Sequence, residues 1–387
     1  MLLAERAPVP DPSAADPLSF LTAYAPSTAS LLPMHAALAI AATAVSVCAF
    51  TTAQTTVSIS TDKDTTLYES STGSLANGGG DSIFCGVVGF NGGFGKRRAL
   101  MHFDVAGQVP AGARILGVEF DIFSAQSTAF LPIPAYVHRV TQDWSEGAVI
   151  APGAGGAGGQ SAAGETTWLH TDYPSANWTT PGGDFDPNPS FVFDLASIGP
   201  STATVDSGMV ADVQSWLDNP AGNFGWLMKT DEQFPQTARR LSAREFGSAP
   251  PTLRITYLAP GQTGTYGTGW LVNGTPFQLD IFGTATGGAT LPITYNNAPG
   301  PVSVGANFLS IGLDPVGTAL LPGSLLYLPF GGPLISGDGF VVTGGAGASF
   351  FTVPAGFPGY LVSIQAAVID SSPLGFSLSN AGVLLTQ

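Results

Sequence analysis

The chain is short of charge, of cysteine and of helical periodicity, and each shortage closes off a class of function. Lys and Arg number 12 against 27 Asp and Glu in 387 residues, a formal net charge of -15. A nucleic-acid binder needs a basic footprint to neutralise phosphates, so that class is excluded. Two cysteines and four scattered histidines, with no CxxC pair, supply neither a disulfide framework nor a zinc site. GxSxG, HExxH and phosphate-cradling motifs are absent as well. Beyond the N-terminus no stretch keeps a 3.6-residue apolar period. What is abundant is turn chemistry: 50 Gly and 31 Pro, together with 24 Phe, punctuate short apolar runs. This composition predicts an all-β protein. The length exceeds one ordinary core, which predicts two β-sandwich (jelly-roll-like) domains in tandem.

Residues 36–50, AALAIAATAVSVCAF, form an apolar run of signal-peptide length, followed by the small and polar TTAQTT. The run is short for a membrane span, so no transmembrane segment is expected in the mature chain. Residues 1–54 therefore read as an over-extended start plus signal peptide, with Met34 a candidate initiator and cleavage near Ala53 or Gln54. The competing reading is an Ala/Pro tail followed by a buried strand. Cleavage would remove Cys48 and leave Cys85 alone. In DSIFCGVVGF, Cys85 alternates with apolar neighbours and reads as a small buried hydrophobe. The compartment implied is extracellular, secreted or at the cell surface.

Residues 56–258 read as the first domain. In KRRALMHFDV, Ala99, Met101, Phe103 and Val105 fall on one face and Leu100, His102 and Asp104 on the other, which predicts a half-buried strand. VPAGARILGVEFDIF places a turn before a strand with Leu116, Val118, Phe120 and Ile122 inward and Glu119 and Asp121 outward. A short helix is expected over Val210–Leu217, then a strand with Trp226 and Met228 on one side. In PPTLRITYLA, Leu253, Ile255 and Tyr257 alternate with polar residues.

The succession RRALMHFDV, VPAGARILGVEFDIF, VHRVTQDWSEG, NWTTPGGDFD, DVQSWLDNPAGNFGWLMK and ARRLSAREFGSAPPTLRITY resembles the DNRLRE-domain family. These are secreted β-sandwich modules related to carbohydrate-binding module family 96. LSARE at 241–245 stands where the family hallmark ends in Arg-Glu, here Arg244 and Glu245, whereas FPQTARR before it departs from the eponymous pattern. The resemblance implies a non-catalytic module that binds an extracellular, acidic polysaccharide such as alginate.

Two sets of residues would carry such binding. Trp168 and Trp178 lie in loop-like sequence and are candidate stacking platforms, whereas Trp216 and Trp226 have core-like flanks. Arg97, His138, Arg139 and Arg239, with Arg98, Arg240 and Arg244, hold most of the positive charge of an acidic chain. If convergent, they would grip carboxylated sugars bidentately. Otherwise they stitch strand ends to Asp143, Glu146 and Glu245. Asp62 and Asp64 in STDKDTT, and Asp184 and Asp186 in PGGDFDPNP, have the alternate oxygen spacing that suits a structural Ca²⁺. Glu119/Asp121, Asp143/Glu146 and Asp231/Glu232 could pair as hydrolytic carboxylates, but their separation is a matter of three dimensions.

After a linker at 259–268, residues 269–387 read as a smaller apolar sandwich. From Ile255 to Gln387 there is no Lys, Arg, His, Glu or Cys, and Asp appears only at 280, 314, 338 and 370. This part loosely resembles small β-sandwich modules of secreted Planctomycetes-type bacterial proteins. Sheets without charge lack the usual edge protection, which suggests docking on a surface or matrix protein. Three readings follow: non-catalytic polysaccharide binding, a structural or adhesive surface component, and, third, a polysaccharide lyase or glycoside hydrolase.

Overall fold

The computed structural model describes residues 54–127, 129–329 and 334–387. The signal-peptide reading and Cys48 fall outside the described residues. The architecture is all-β: one large curled sheet, several smaller sheets, and a single α-helix among the described residues. No helix among them is long and apolar enough to cross a membrane. The chain divides into two compact units. The first comprises Gln54–Pro260 with Asp314–Gly317, the second Gly261–Leu313 with Thr318–Gln387.

Eleven strands build the large sheet of the first unit. One half is ordered Thr55–Ser60, Thr252–Leu258, Arg114–Ser127 and Arg239–Ser242, and the other Lys96–His102, Trp226–Lys229, Ile133–Arg139 and Phe191–Leu195. Strand Ser82–Val87 joins them. Ser82 to Cys85 pair with Arg239–Ser242, then Gly86 and Val87 pair with Arg97 and Lys96. The switch needs a glycine. Gly86 has φ +106°, and a Cβ there would sit 2.5 Å from the Thr237 carbonyl oxygen.

Between the curled halves lies an aromatic core of Phe103, Phe120, Phe191, Trp216 and Trp226. Leu253, Ile255 and Tyr257 enter it from the last strand, Val118, Phe120 and Ile122 from the long one. Ahead of these the inward phase reverses, because the pairing jumps from Gly117–Thr256 to Ile115–Tyr257. The extra residue is a β-bulge that puts Ile115 into this core in the place expected of Leu116. The helix runs from Ser207 to Asp218, three residues earlier than expected, because Asp206 accepts a hydrogen bond from the Gly208 amide and caps it. Met209, Val213, Trp216 and Leu217 form its buried face.

Strand Lys96–His102 is not half-buried: Leu100 on its second face is as closed off as Met101 on the first. Leu67, Leu100 and Leu227 face a second apolar layer made by Trp144, Trp168 and Trp178. The long connection after Arg139 folds back over the sheet. Alternation within a strand carries no record of a loop that covers it from a distance.

In the second unit a five-stranded sheet is ordered Thr263–Tyr266, Phe376–Leu385, Leu361–Ile369, Val302–Ile311 and Ile335–Thr343. A three-stranded sheet is ordered Gln278–Ile281, Thr290–Asn296 and Gly347–Thr352. Residues of both, among them Leu279, Ile293, Tyr295, Phe351, Val362 and Ile364, share one core. The Tyr295 and Phe340 rings stack at 3.9 Å. Thr263–Tyr266 lies inside the stretch read as linker, yet it pairs with the C-terminal strand. Val302, Val304 and Val341 stand exposed on neighbouring strands.

Candidate functional site

Asp64 is the second residue of the strand Lys63–Tyr68, which follows the bend at Asp62. Its carboxylate is turned inward, and the residue is only 1% exposed. Oδ2 accepts hydrogen bonds from the Thr61 hydroxyl at 3.0 Å and from the Arg244 amide at 2.8 Å. Oδ1 is buried and has no hydrogen-bond partner. The Asp64 amide donates to Glu146 Oε1 at 2.7 Å, which ties the strand to the connection that follows Val140. Glu245 arrives from the turn after Arg239–Ser242. One carboxylate oxygen from each of Asp64, Glu146 and Glu245 lies within 4.8 Å of the others. Three carboxylates so placed can coordinate a metal ion.

Arg244 lies beside them. Its guanidinium is 2.8 Å from Glu146 Oε2 and 2.6 Å from Glu245 Oε1. Burial pushes the Asp64 carboxyl up to about 7, opposed by the Arg244 amide and reinforced by the negative charge of Glu245 and Glu146. Burial also raises the Glu146 carboxyl, against the pull of the Asp64 amide and Arg244. Burial works against the Arg244 guanidinium too, but Glu146 and Glu245 hold it above its ordinary value. One positive group thus serves two carboxylates, while a third carboxyl stays suspended between its acid and base forms at neutral pH.

The other expected metal ligands lie elsewhere. Asp62 accepts from or shares a proton with His102 Nδ1 at 2.6 Å. Asp184 caps a turn, receiving the amides of Thr179 at 2.6 Å and Thr180 at 2.9 Å. Asp186 Oδ1 takes the Asn188 amide at 3.0 Å. Only Asp64 of the four joins the carboxylate group.

Trp168 and Trp178 are both buried in the second apolar layer. The Arg98 guanidinium covers the Trp168 ring at 4.8 Å and makes two 2.7 Å bonds to Glu232, while the Trp178 indole donates to the Thr167 carbonyl at 3.0 Å. Arg97 is buried over the Tyr68 ring, with its Nε on the Gly156 carbonyl at 3.1 Å. Arg239 is wholly buried: its two terminal nitrogens donate to the carbonyls of Thr237 and Leu131, while Nε has no hydrogen-bond partner. His138 is buried against Phe185 with Nδ1 on the Asp186 carbonyl at 2.8 Å, and burial holds its pKa below the ordinary value. Arg139 is partly exposed and stands 3.8 Å from Asp212. Five of these six side chains are interior, so they do not assemble into one open groove.

The reading of the first unit as a purely non-catalytic polysaccharide-binding module is therefore corrected. The constellation that the fold gathers is a set of three carboxylates with an arginine. Neither Glu146 nor Glu245 stood out as a ligand in the sequence, because they lie far along the chain from Asp64 and from each other. The one local signal was the close Asp62–Asp64 spacing.

No protein-family model matches the chain, and no curated protein does. Among solved structures, a β-glucuronidase of Bacteroides uniformis is similar at 7% identity and a TM-score of 0.18, over 84% of this chain and 32% of that one. A protein of Bacteroides fragilis described as a β-galactosidase is similar at 7% identity and a TM-score of 0.17, over 84% of this chain and 40% of that one. The chain spans less than half the length of either. Likeness at this level carries no argument about fold or chemistry.

Proposed function

We propose that the first unit works through a cation centre at Asp64, Glu146 and Glu245, with Ca²⁺ as its ion. The observation that carries the reading is Asp64 Oδ1, a buried oxygen with no hydrogen-bond partner, in a carboxyl group set beside two more carboxylates. A buried carboxylate left unpaired is costly, and a bound cation offsets that cost. The donor set is all oxygen, which selects a hard cation. The three ligands come from turns and a strand start, and such backbone suits the irregular coordination that Ca²⁺ accepts better than the strict octahedron of Mg²⁺. The ion would staple the strand at Asp64 to the 140–150 connection and to the turn at Arg244. In this reading the chain is a secreted or surface-attached protein, its first unit a DNRLRE-like sandwich in tandem with a smaller apolar one.

Calorimetric titration of the chelator-stripped full chain tests this. Ca²⁺ is expected to bind, more tightly than Mg²⁺, and Asp64→Asn is expected to abolish that binding at this centre. Glu245→Gln, at an exposed position, should weaken it by about tenfold or more, the scale on which ligand-shell changes act. Stripped wild-type protein that takes up no divalent cation at millimolar concentration sinks the reading.

One observation favours a second reading, in which the same centre is an acid–base site of a hydrolase acting on glycosidic bonds. A carboxyl held near pH 7 beside carboxylates within 4.8 Å is the pairing of proton donor and nucleophile that such hydrolysis uses. Against it, Asp64 is almost closed to solvent, and a leaving-group oxygen would have to reach it. The two readings part in chelator. The hydrolase releases reducing ends from polysaccharide there and Asp64→Asn stops it, whereas the cation centre alone gives no turnover.

A further inference from the structure

We propose that Arg244 is the built-in cation of the Asp64 centre, and that a metal ion loads there by displacing its guanidinium. The inference rests on the reading of Asp64, Glu146 and Glu245 as a cation centre and concerns what that centre must release to be filled. Arg244 Nη2 donates to Glu146 Oε2 at 2.8 Å and lies 2.6 Å from Glu245 Oε1, so one nitrogen bridges two of the three carboxylates. Nε donates to Glu146 Oε1 at 3.3 Å, and the same oxygen already accepts the Asp64 amide at 2.7 Å. Glu146 is therefore engaged on both oxygens before any ion arrives. A hard cation sits about 2.3–2.6 Å from each oxygen it binds. An ion held by Glu146 Oε2 and Glu245 Oε1 would crowd Nη2, and two cations at such range repel strongly.

The guanidinium is free to leave. Its side chain is 40% exposed, against 16% for Glu146 and 24% for Glu245. Among the described residues its hydrogen bonds and ion pairs go to those two glutamates alone. The backbone has a separate task, since the Arg244 amide donates to Asp64 Oδ2 at 2.8 Å. The side chain can swing into water while that amide stays in place, so the exchange does not unmake the turn. Three ionised carboxylates carry more negative charge than one guanidinium balances, and a divalent ion supplies the larger share. The arginine-bound form cannot take the ion, so its population weakens the apparent affinity.

Arg244→Gln tests this, because it keeps a long polar side chain and removes the charge. In calorimetric titration of the chelator-stripped full chain, Arg244→Gln is expected to bind Ca²⁺ more tightly than wild type by about tenfold or more, the scale on which a charge a few ångströms away moves an ionic equilibrium. In chelator the same variant should melt below wild type, since Glu146 and Glu245 lose their counter-ion. A merely structural arginine would lower the melting temperature without tightening the metal. Equal or weaker Ca²⁺ binding in Arg244→Gln therefore overturns the exchange and leaves the Asp64 centre standing. Binding in neither protein sinks the centre itself. Binding in Arg244→Gln alone makes Arg244 a permanent occupant and overturns both. Should Arg244→Gln fail to fold, wild-type protein labelled with ¹⁵N at arginine decides. The Arg244 Nε–H signal, identified by its absence from Arg244→Lys, is expected to lose its protection from solvent exchange when Ca²⁺ saturates the chain. A signal unchanged by saturating Ca²⁺ overturns the exchange.

Discussion

In metal-free buffer the stability that Asp64 confers on the first unit is expected to fall as pH rises from about 4 to about 7. The carboxyl goes from an ordinary value of 3.8 in the unfolded chain to about 7 in the fold, with burial as the main cause. The folded state therefore binds the proton more tightly than the unfolded state across that window. Stability from this group is complete below the unfolded value and is lost as pH climbs through the folded one. Each tenfold displacement of the proton equilibrium is worth about 1.4 kcal/mol, so the whole loss is on the order of 4 kcal/mol. The residue is almost closed to solvent, so screening removes little of it.

Glu146 and Asp212, also raised by burial, act in the same sense, and other carboxylates act in the opposite one. Despite the opposing effect of burial, Glu232 is held low by Arg98, and its contribution is lost as pH falls. The informative quantity is thus the difference between wild type and Asp64→Asn, which cannot titrate. Urea midpoints at pH 4.5 and 7.5, followed by tryptophan fluorescence, give that difference, since five of the six Trp lie in the first unit. Saturating Ca²⁺ should abolish or invert the trend, because it binds the ionised carboxylate and stabilises the fold by mass action. A wild-type and mutant difference that does not change between the two pH values would remove the basis for a proton-bearing Asp64.

Trp226→Ala is expected to be at least as damaging, by a different route. The indole is wholly buried, with the rings of Trp216, Phe191, Phe103 and Phe120 between 4.9 and 6.0 Å away. Its Nε1 donates to Asp212 Oδ2 at 2.7 Å, and that carboxyl, already raised by burial, also takes the Ser190 hydroxyl. Truncation empties a space that several rigid rings cannot collapse into, a loss of about 3–5 kcal/mol. It also strips a donor from a buried carboxylate, for about 1–3 kcal/mol more. Trp226→Phe separates the parts, since it keeps much of the packing and loses the donor. Chemical denaturation by circular dichroism should rank wild type, Phe and Ala in that order. An Ala variant within about 1 kcal/mol of wild type would contradict the placement of Trp226 at the centre of the core.

Some of this was legible one residue at a time. Leu253, Ile255 and Tyr257 alternate, and they reach the core in that phase. Trp216 and Trp226 sit in core-like flanks, and they are core. The capped helix was visible as a short apolar run, though its true start depended on Asp206. Where local pattern and structure part, a distant segment or an inserted residue is responsible. The bulge ahead of Val118 reverses which side chain points inward. Trp168 and Trp178 look exposed in loop-like sequence and are interior because that loop lies across Leu67, Leu100 and Leu227.

The sequence by itself determined the class of the protein: all-β, from its turns and short apolar runs. It also offered Asp64 as a candidate oxygen ligand, from two aspartates close together in sequence. Only the tertiary structure decided what Asp64 works with. Glu146 stands 82 residues along the chain and Arg244 stands 180, and hydrogen bonds to the Asp64 backbone amide and Oδ2 bring them together. Burial then raises its proton affinity and leaves Oδ1 unpartnered. Neither burial nor a neighbour's charge is a property of a residue type. Both arise when separate parts of the chain exclude water from the same place.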